Sequence, residues 1–137
     1  MINKDGKQII EYTKEEFIPI FNTIKKCIKS NKYIIELNEN RSDNQKFIIK
    51  YNLKEKRIKK ILSDIKIEDF CYATPHNDNP NVVLYVFAPN ATVYEIEDAK
   101  VTIQMYIKFR LCVNKDSATT IVISFHELKR SISYSFK

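Results

Sequence analysis

Between Val101 and His126 the chain alternates apolar and polar residues with period two, first over VTIQMYIKFRLCV and again over TTIVISFH. Strict alternation over so many residues demands strands with one face on a core and the other toward water. In the first half Val101, Ile103, Met105, Ile107, Phe109, Leu111 and Val113 form the apolar set, and Gln104, Tyr106, Lys108, Arg110 and Cys112 fall on the other face. In the second half Ile121, Ile123 and Phe125 alternate with Thr120, Val122, Ser124 and His126. The segment NKDSA between them is turn chemistry, so the two halves are expected to form an antiparallel hairpin. Residues opposite one another in a hairpin share a face, which would place Tyr106, Lys108, Arg110 and His126 on one surface.

Upstream, the spacing changes to that of helices. Thr13 followed by Glu16 fits a capping box. Phe17, Ile20, Phe21, Ile24, Cys27 and Ile28 then recur at helical intervals, ending near Ser30. KYIIEL (32–37) is a short strand candidate. NENRSDN (38–44) is a polar loop offering Ser42 or Asp43 as an N-cap. Phe47, Ile48 and Tyr51 make a short helix. Residues 54–65 make another, with Ile58, Ile61, Leu62 and Ile65 as its stripe and a strongly basic outer face. Residues 67–70 suggest a turn or short helix, 72–81 a loop carrying His76 and Asp78, and 82–88 a central strand. Residues 91–98 suggest a weaker, acidic strand or lid, and Ile132, Tyr134 and Phe136 alternate as an added edge strand. Helices first and strands last predict one α+β domain over 1–137, with N-terminal helices packed on a mostly antiparallel sheet and residues 1–12 as a flexible arm.

Composition removes whole classes of function. The chain holds one glycine, Gly6, so a P-loop, a dinucleotide fingerprint and a nucleophile elbow are all excluded. The cysteines, Cys27, Cys71 and Cys112, are odd in number and far apart, and suggest neither a disulfide framework nor a zinc site; no metal or other cofactor is expected. There is no long apolar run, and the start lacks the apolar centre of a signal peptide, so a cytoplasmic protein is expected. With 23 Lys+Arg against 17 Asp+Glu the net charge is +6, which favours a polyanionic partner such as RNA, an acidic lipid or an acidic protein.

The polar face suits one chemistry. RNA is cut without a metal when the 2′-hydroxyl attacks the adjacent phosphate in line and the leaving 5′-oxygen gains a proton. His126 offers proton transfer near neutral pH, Lys108 and Arg110 can neutralise phosphate charge, and Tyr106 can stack on a base or pass a proton. A non-catalytic RNA- or ribosome-binding module using the basic helix, and a protein-interaction domain with a basic face, stay open beside it.

The segments ENRSDNQKFIIKYNL, IKIEDFCYATPHNDNP, VVLYVFAP, MYIKFRL and VISFHELKRSISYSFK resemble, in order and spacing, the MqsR family of toxin–antitoxin ribonucleases, particularly its longer branch. The likeness spans roughly residues 17–137. Arg41, Asn44, Asp69, Phe70, Asp78, Tyr106, Lys108, Ser124, Phe125, His126 and Glu127 match the family pattern. The resemblance implies a RelE-like microbial ribonuclease fold, metal-free cleavage of mRNA, and neutralisation by an MqsA-like antitoxin. It makes Tyr106 the active-site tyrosine and puts His126 where shorter members carry a lysine. Tyr72 stands where those members carry another lysine, and the glutamine of the preceding strand has no clear match. The expected catalytic residues are His126, Tyr106 and Lys108; the expected RNA contacts are Arg110, Gln104, Arg41, Tyr72, Lys56 and Lys59.

Overall fold

A computed structural model of the protein describes residues 8–38, 41–76, 78–79, 81–95, 99–114 and 117–137. Three helices, α1 (Lys14–Lys29), α2 (Ser42–Lys50) and α3 (Glu55–Ser63), precede or interleave with six strands: β1 (Tyr33–Ile35), β2 (Phe70–Pro75), β3 (Val83–Phe87), β4 (Asn90–Tyr94), β5 (Lys100–Val113) and β6 (Ala118–Glu127). The sheet order is β1-β6-β5-β3-β2, and β4 pairs with the first part of β5. Every pairing is antiparallel except that of β1 with β6. This is an α+β architecture, with three helices on a mostly antiparallel sheet.

The helices all lie on one face. Phe17, Ile24 and Ile28 of α1, Phe47 of α2 and Ile58, Ile61 and Leu62 of α3 join Ile103, Met105, Ile107 and Phe109 of β5 in one core. Its shortest ring-to-ring separation is Phe17 stacked on Phe70 at 3.8 Å between centroids. Burying side chains of this size contributes about 1.5–3 kcal/mol each, the main favourable term in a chain this short. The capping box of α1 forms as expected, with Glu16 N–H donating to Thr13 Oγ1 and Thr13 N–H to Glu16 Oε1. In a chain with one glycine, asparagine takes glycine's usual post at helix ends. Asn31 and Asn52 sit at φ 60° and 49°, and the amides that follow them, of Lys32 and Leu53, return to the carbonyls of Cys27 and Ile48.

Several expectations differ from the structure. Residues 72–81 do not form a loop throughout: Phe70–Pro75 is a strand paired with β3, with a bulge between Phe70 and Tyr72. The Pro, Asn and His content of 75–81 masked it. Neither Ser42 nor Asp43 is the N-cap of α2; that residue is Arg41, without a side-chain cap, and Asn44 lies buried in the first turn. Residues 128–137 add no strand. Of the leader, Gln8 to Tyr12 lies along the sheet rather than loose, with Ile10 N–H donating to Ala73 C=O and Tyr12 packed on the core. Residues 1–7 fall outside the described part, as do 96–98 of the expected acidic lid and 115–116 of the turn.

The hairpin itself departs from simple alternation. Its turn sets Val113 opposite Ala118. Continued unbroken, that register would set Tyr106 against Phe125 and Met105 against His126. Instead the register shifts between Lys108 and Phe109, leaving Ile123 as an extra residue in β6. Beyond it Lys108 opposes Ser124, Tyr106 opposes His126 and Ile107 opposes Phe125. The expected apolar row Ile121, Ile123, Phe125 is therefore corrected: Val122 and Phe125 enter the main core, and Ile121 faces out beside Arg110.

The bulge is held by Asn44 of α2, which is 1% exposed. Its Nδ2 donates to the carbonyls of Ile123 and Glu36, both at 2.9 Å, and its Oδ1 accepts from Phe125 N–H at 2.7 Å. One amide thus stands where a neighbouring strand would be, because β1 ends at Ile35 and reaches no farther than Val122. Asn44→Ala leaves two buried backbone groups unpaired and is expected to lower stability by about 2–4 kcal/mol. Asn44→Asp, which cannot donate to Ile123 C=O, should also destabilise. Urea denaturation measures both, and a loss under about 1 kcal/mol for the alanine variant would contradict this role.

Candidate functional site

The face of the sheet turned away from the helices carries the candidate site. Tyr106 and His126 are direct cross-strand neighbours, their rings stacked at 5.5 Å between centroids and 20° between planes. Lys108 Nζ lies 5.5 Å from the centroid of the Tyr106 ring. The phenol oxygens of Tyr72 and Tyr106 are 3.3 Å apart. All four side chains are half-buried. Lys108 and His126 are diagonal neighbours across β5 and β6, a relation that places backbone positions about 7–8 Å apart.

The geometry also orients the imidazole. His126 Nδ1 lies 2.9 Å from the carbonyl oxygen of Glu127. A carbonyl only accepts, so Nδ1 carries the proton and the lone pair of the neutral ring sits on Nε2. Asp43 of α2 is near enough to feel the His126 charge. Its carboxyl is held below the usual carboxylate range, first by the hydrogen bond from Lys129 at 2.5 Å and in smaller part by the Lys129 and His126 charges. Asp43 was not legible as a neighbour of His126, because α2 and the end of β6 meet only in the fold.

Beneath the tyrosines lies a second, small apolar cluster. Cys71, Val86 and Ala88 are buried there, with Tyr72, Tyr106, Ile132 and Tyr134 packed against them. The last ten residues cross this face as an irregular strap. Leu128 N–H donates to Gln104 C=O, Ser135 N–H to Phe70 C=O and Ser135 Oγ to Cys71 C=O. Tyr134 Oη donates to Ala88 C=O and accepts from Gln104 Nε2, both at 2.6 Å. Burial holds the Tyr134 phenol above its usual range, against the Gln104 bond that lowers it. The alternation of Ile132, Tyr134 and Phe136 serves two sides: the first two join this cluster, and Phe136 joins the main core.

The other expected site residues separate. Arg110 continues the same face of β5, opposite Leu84 and Ile121. Gln104 is on that face but is engaged by Tyr134. Arg41 sits at the start of α2 in an ion pair with Glu36 at 3.4 Å. Lys56 and Lys59 belong to α3, in the helix layer, and so are not part of the Tyr106 surface; Lys59 Nζ donates to Lys29 C=O. In the loop, His76 Nδ1 accepts from Asp78 N–H, a turn contact. Among the described residues no group of three or more His, Cys, Asp and Glu side chains is placed to hold a metal ion. No helix of the described residues is long and apolar enough to cross a membrane.

Comparison with protein-family models, with curated proteins and with solved structures returned no match to this chain.

None of the cysteines supplies a nucleophile to the site. Cys71 lies closest, but burial, aided by the Asp69 charge, pushes its thiol up to about 12, so it stays protonated at neutral pH. Cys27 is a buried residue of α1, whereas Cys112 is partly exposed. Iodoacetamide at pH 8 should therefore label Cys112 well before Cys71 or Cys27 in the folded protein, read by peptide mass spectrometry. Equal labelling of all three without denaturant would contradict this placement.

Proposed function

We propose that the protein is a metal-independent endoribonuclease with a RelE-like microbial ribonuclease fold. On this reading it is an MqsR-like toxin of a toxin–antitoxin pair, acting on mRNA in the cytoplasm and neutralised by an MqsA-like antitoxin protein. The observation that carries it is the convergence of His126, Tyr106 and Lys108 around a single aromatic ring, on the sheet face the helices leave uncovered.

The reaction needs a base, an acid and a cation within the span of one nucleotide. His126 Nε2, with its lone pair, takes the proton from the ribose 2′-hydroxyl. The 2′-oxygen attacks phosphorus as the bond to the 5′-oxygen breaks. The products are a 2′,3′-cyclic phosphate and a 5′-hydroxyl. Tyr106, whose phenol pairs with that of Tyr72, supplies the proton to the departing 5′-oxygen. Lys108 neutralises the charge building on the non-bridging oxygens, and Arg110, farther along the same strand, holds the next phosphate. Tyr72 stands where shorter members of the resembled family carry a lysine, so here a phenol pair replaces a cation.

His126→Ala should lower RNA cleavage about 10²–10⁴-fold, the usual worth of a general base, with the fold retained. Lys108→Ala should lower it about 10²–10³-fold, by loss of charge stabilisation. Tyr106→Phe should lower cleavage of normal RNA yet matter far less for a substrate with a better 5′ leaving group. The readout is end mapping of a defined RNA by gel and mass spectrometry. Cleavage by His126→Ala at the unmutated rate, or cutting of an RNA bearing a 2′-deoxy sugar at the scissile position, sinks the mechanism.

A further inference from the structure

The helix layer carries a separate feature. Between α3 and β4 run two neighbouring clefts. One, about 280 Å³, is bordered by Arg57, Lys60, Asp64, Asn90, Tyr94 and Lys100. The other, about 610 Å³, is bordered by Tyr51, Lys54, Lys56, Arg57, Lys60 and Tyr94. Arg57, Lys60 and Tyr94 border both, so the two form a continuous track. Its ridge is a stacked pair, with the Arg57 guanidinium 4.5 Å from the centre of the Tyr94 ring. Tyr94 in turn opposes Lys100 across β4 and β5.

The charge along this track is lopsided. Among the described residues that border it, Lys54, Lys56, Arg57, Lys60 and Lys100 meet two carboxylates, Asp64 and Glu95, and Asp64 is taken by Lys60 at 3.1 Å. Among the described residues, no carboxylate lies in ion-pair range of Lys54, Lys56, Arg57 or Lys100, whereas Lys14, Arg41 and Lys129 elsewhere are each paired. Like charges gathered round a concavity repel one another and focus a positive potential into it. A chain that needed cations only for solubility would gain more from spreading them. A regular anion spacing with planar groups between the charges answers both features: phosphates for the cations, a base for the Tyr94–Arg57 platform.

We propose that the track between α3 and β4 binds a single-stranded polynucleotide through its backbone, independently of sequence, as a site apart from the Tyr106–His126 surface. Lys100 and Tyr106 are six residues apart on β5, about 20 Å along an extended strand. A strand held on the track would therefore be flanking sequence, not the segment at the reacting phosphate. This goes beyond the ribonuclease reading and does not depend on it, since binding here requires no cleavage.

The test is fluorescence anisotropy with a labelled 2′-O-methyl decauridylate, which lacks the attacking hydroxyl and stays intact whatever the catalytic status of the protein. The variants are Lys56→Glu with Arg57→Glu, and separately Tyr94→Leu, each checked for an unchanged unfolding midpoint. The charge-reversed protein is expected to bind at least about tenfold more weakly, and the slope of log affinity against log salt should fall by about 0.7 per phosphate contact removed. Tyr94→Leu should weaken binding about five- to tenfold with the slope unchanged, through lost stacking. Affinity and slope that stay at wild-type values in the charge-reversed protein overturn the proposal. So does a poly-glutamate peptide of equal length that binds as tightly as the oligonucleotide and is indifferent to Tyr94→Leu, which would assign the track to an acidic protein. Cleavage assays on His126→Ala judge the ribonuclease reading separately, so failure of either is distinguishable from failure of the other.

Discussion

The Asn44 side chain is the interaction on which the candidate site depends. A hairpin inherits its register from its turn, and here that register would send His126 to the helix side with Met105. One extra residue, Ile123, reverses the parity and returns His126 to the face of Tyr106. An extra residue leaves backbone groups without ladder partners, and in a buried place that is costly. Asn44 supplies both a donor and an acceptor at the spacing of a strand's own amide, while its second N–H secures Glu36 at the end of β1. Asparagine suits the place because aspartate lacks the donors and glutamine is one methylene longer. Helix α2 is thus tied to the sheet by a polar bond set as well as by the packing of Phe47 on Phe125.

With that parity established, the sheet separates two environments. Toward the helices lies an aromatic interior built on Phe17, Phe70, Phe87 and Phe109. Away from them Tyr72 and Tyr106 rest on a thin apolar floor of Cys71, Val86 and Ala88, with Lys108 and His126 against the Tyr106 ring and the terminal strap along one side. A half-buried surface of this kind strengthens electrostatic interactions relative to open solvent while leaving room for a ligand. Tyr134 contributes to both jobs: its ring covers the floor, and its hydroxyl fixes Gln104 and the carbonyl of Ala88.

Positive charge is likewise divided between layers. Lys108 and Arg110 belong to the outer face; Lys54, Lys56, Arg57 and Lys60 belong to the helix side. The basic net charge is therefore no single patch, and a polyanion that met both surfaces would have to pass round the β4 end of the sheet.

Some of this was written in local sequence. Period-two alternation identified β5 and β6, helical spacing identified α1 and α3, the Thr13–Glu16 pair marked where α1 starts, and the lack of glycine removed whole classes of phosphate and nucleophile sites. These are properties of neighbouring residues, and neighbours decide them. That Tyr106 and His126 share a face was read from the same alternation, although a plain count from the turn would have contradicted it. Only the tertiary structure settled that parity, because the bulge depends on Asn44, some eighty residues away in the chain. It also revealed β2 behind a proline-rich composition, drew Tyr72 and Tyr134 to the site, and set Lys56 and Lys59 on the other layer. Those outcomes rest on contacts between distant segments, whose energies no local pattern encodes.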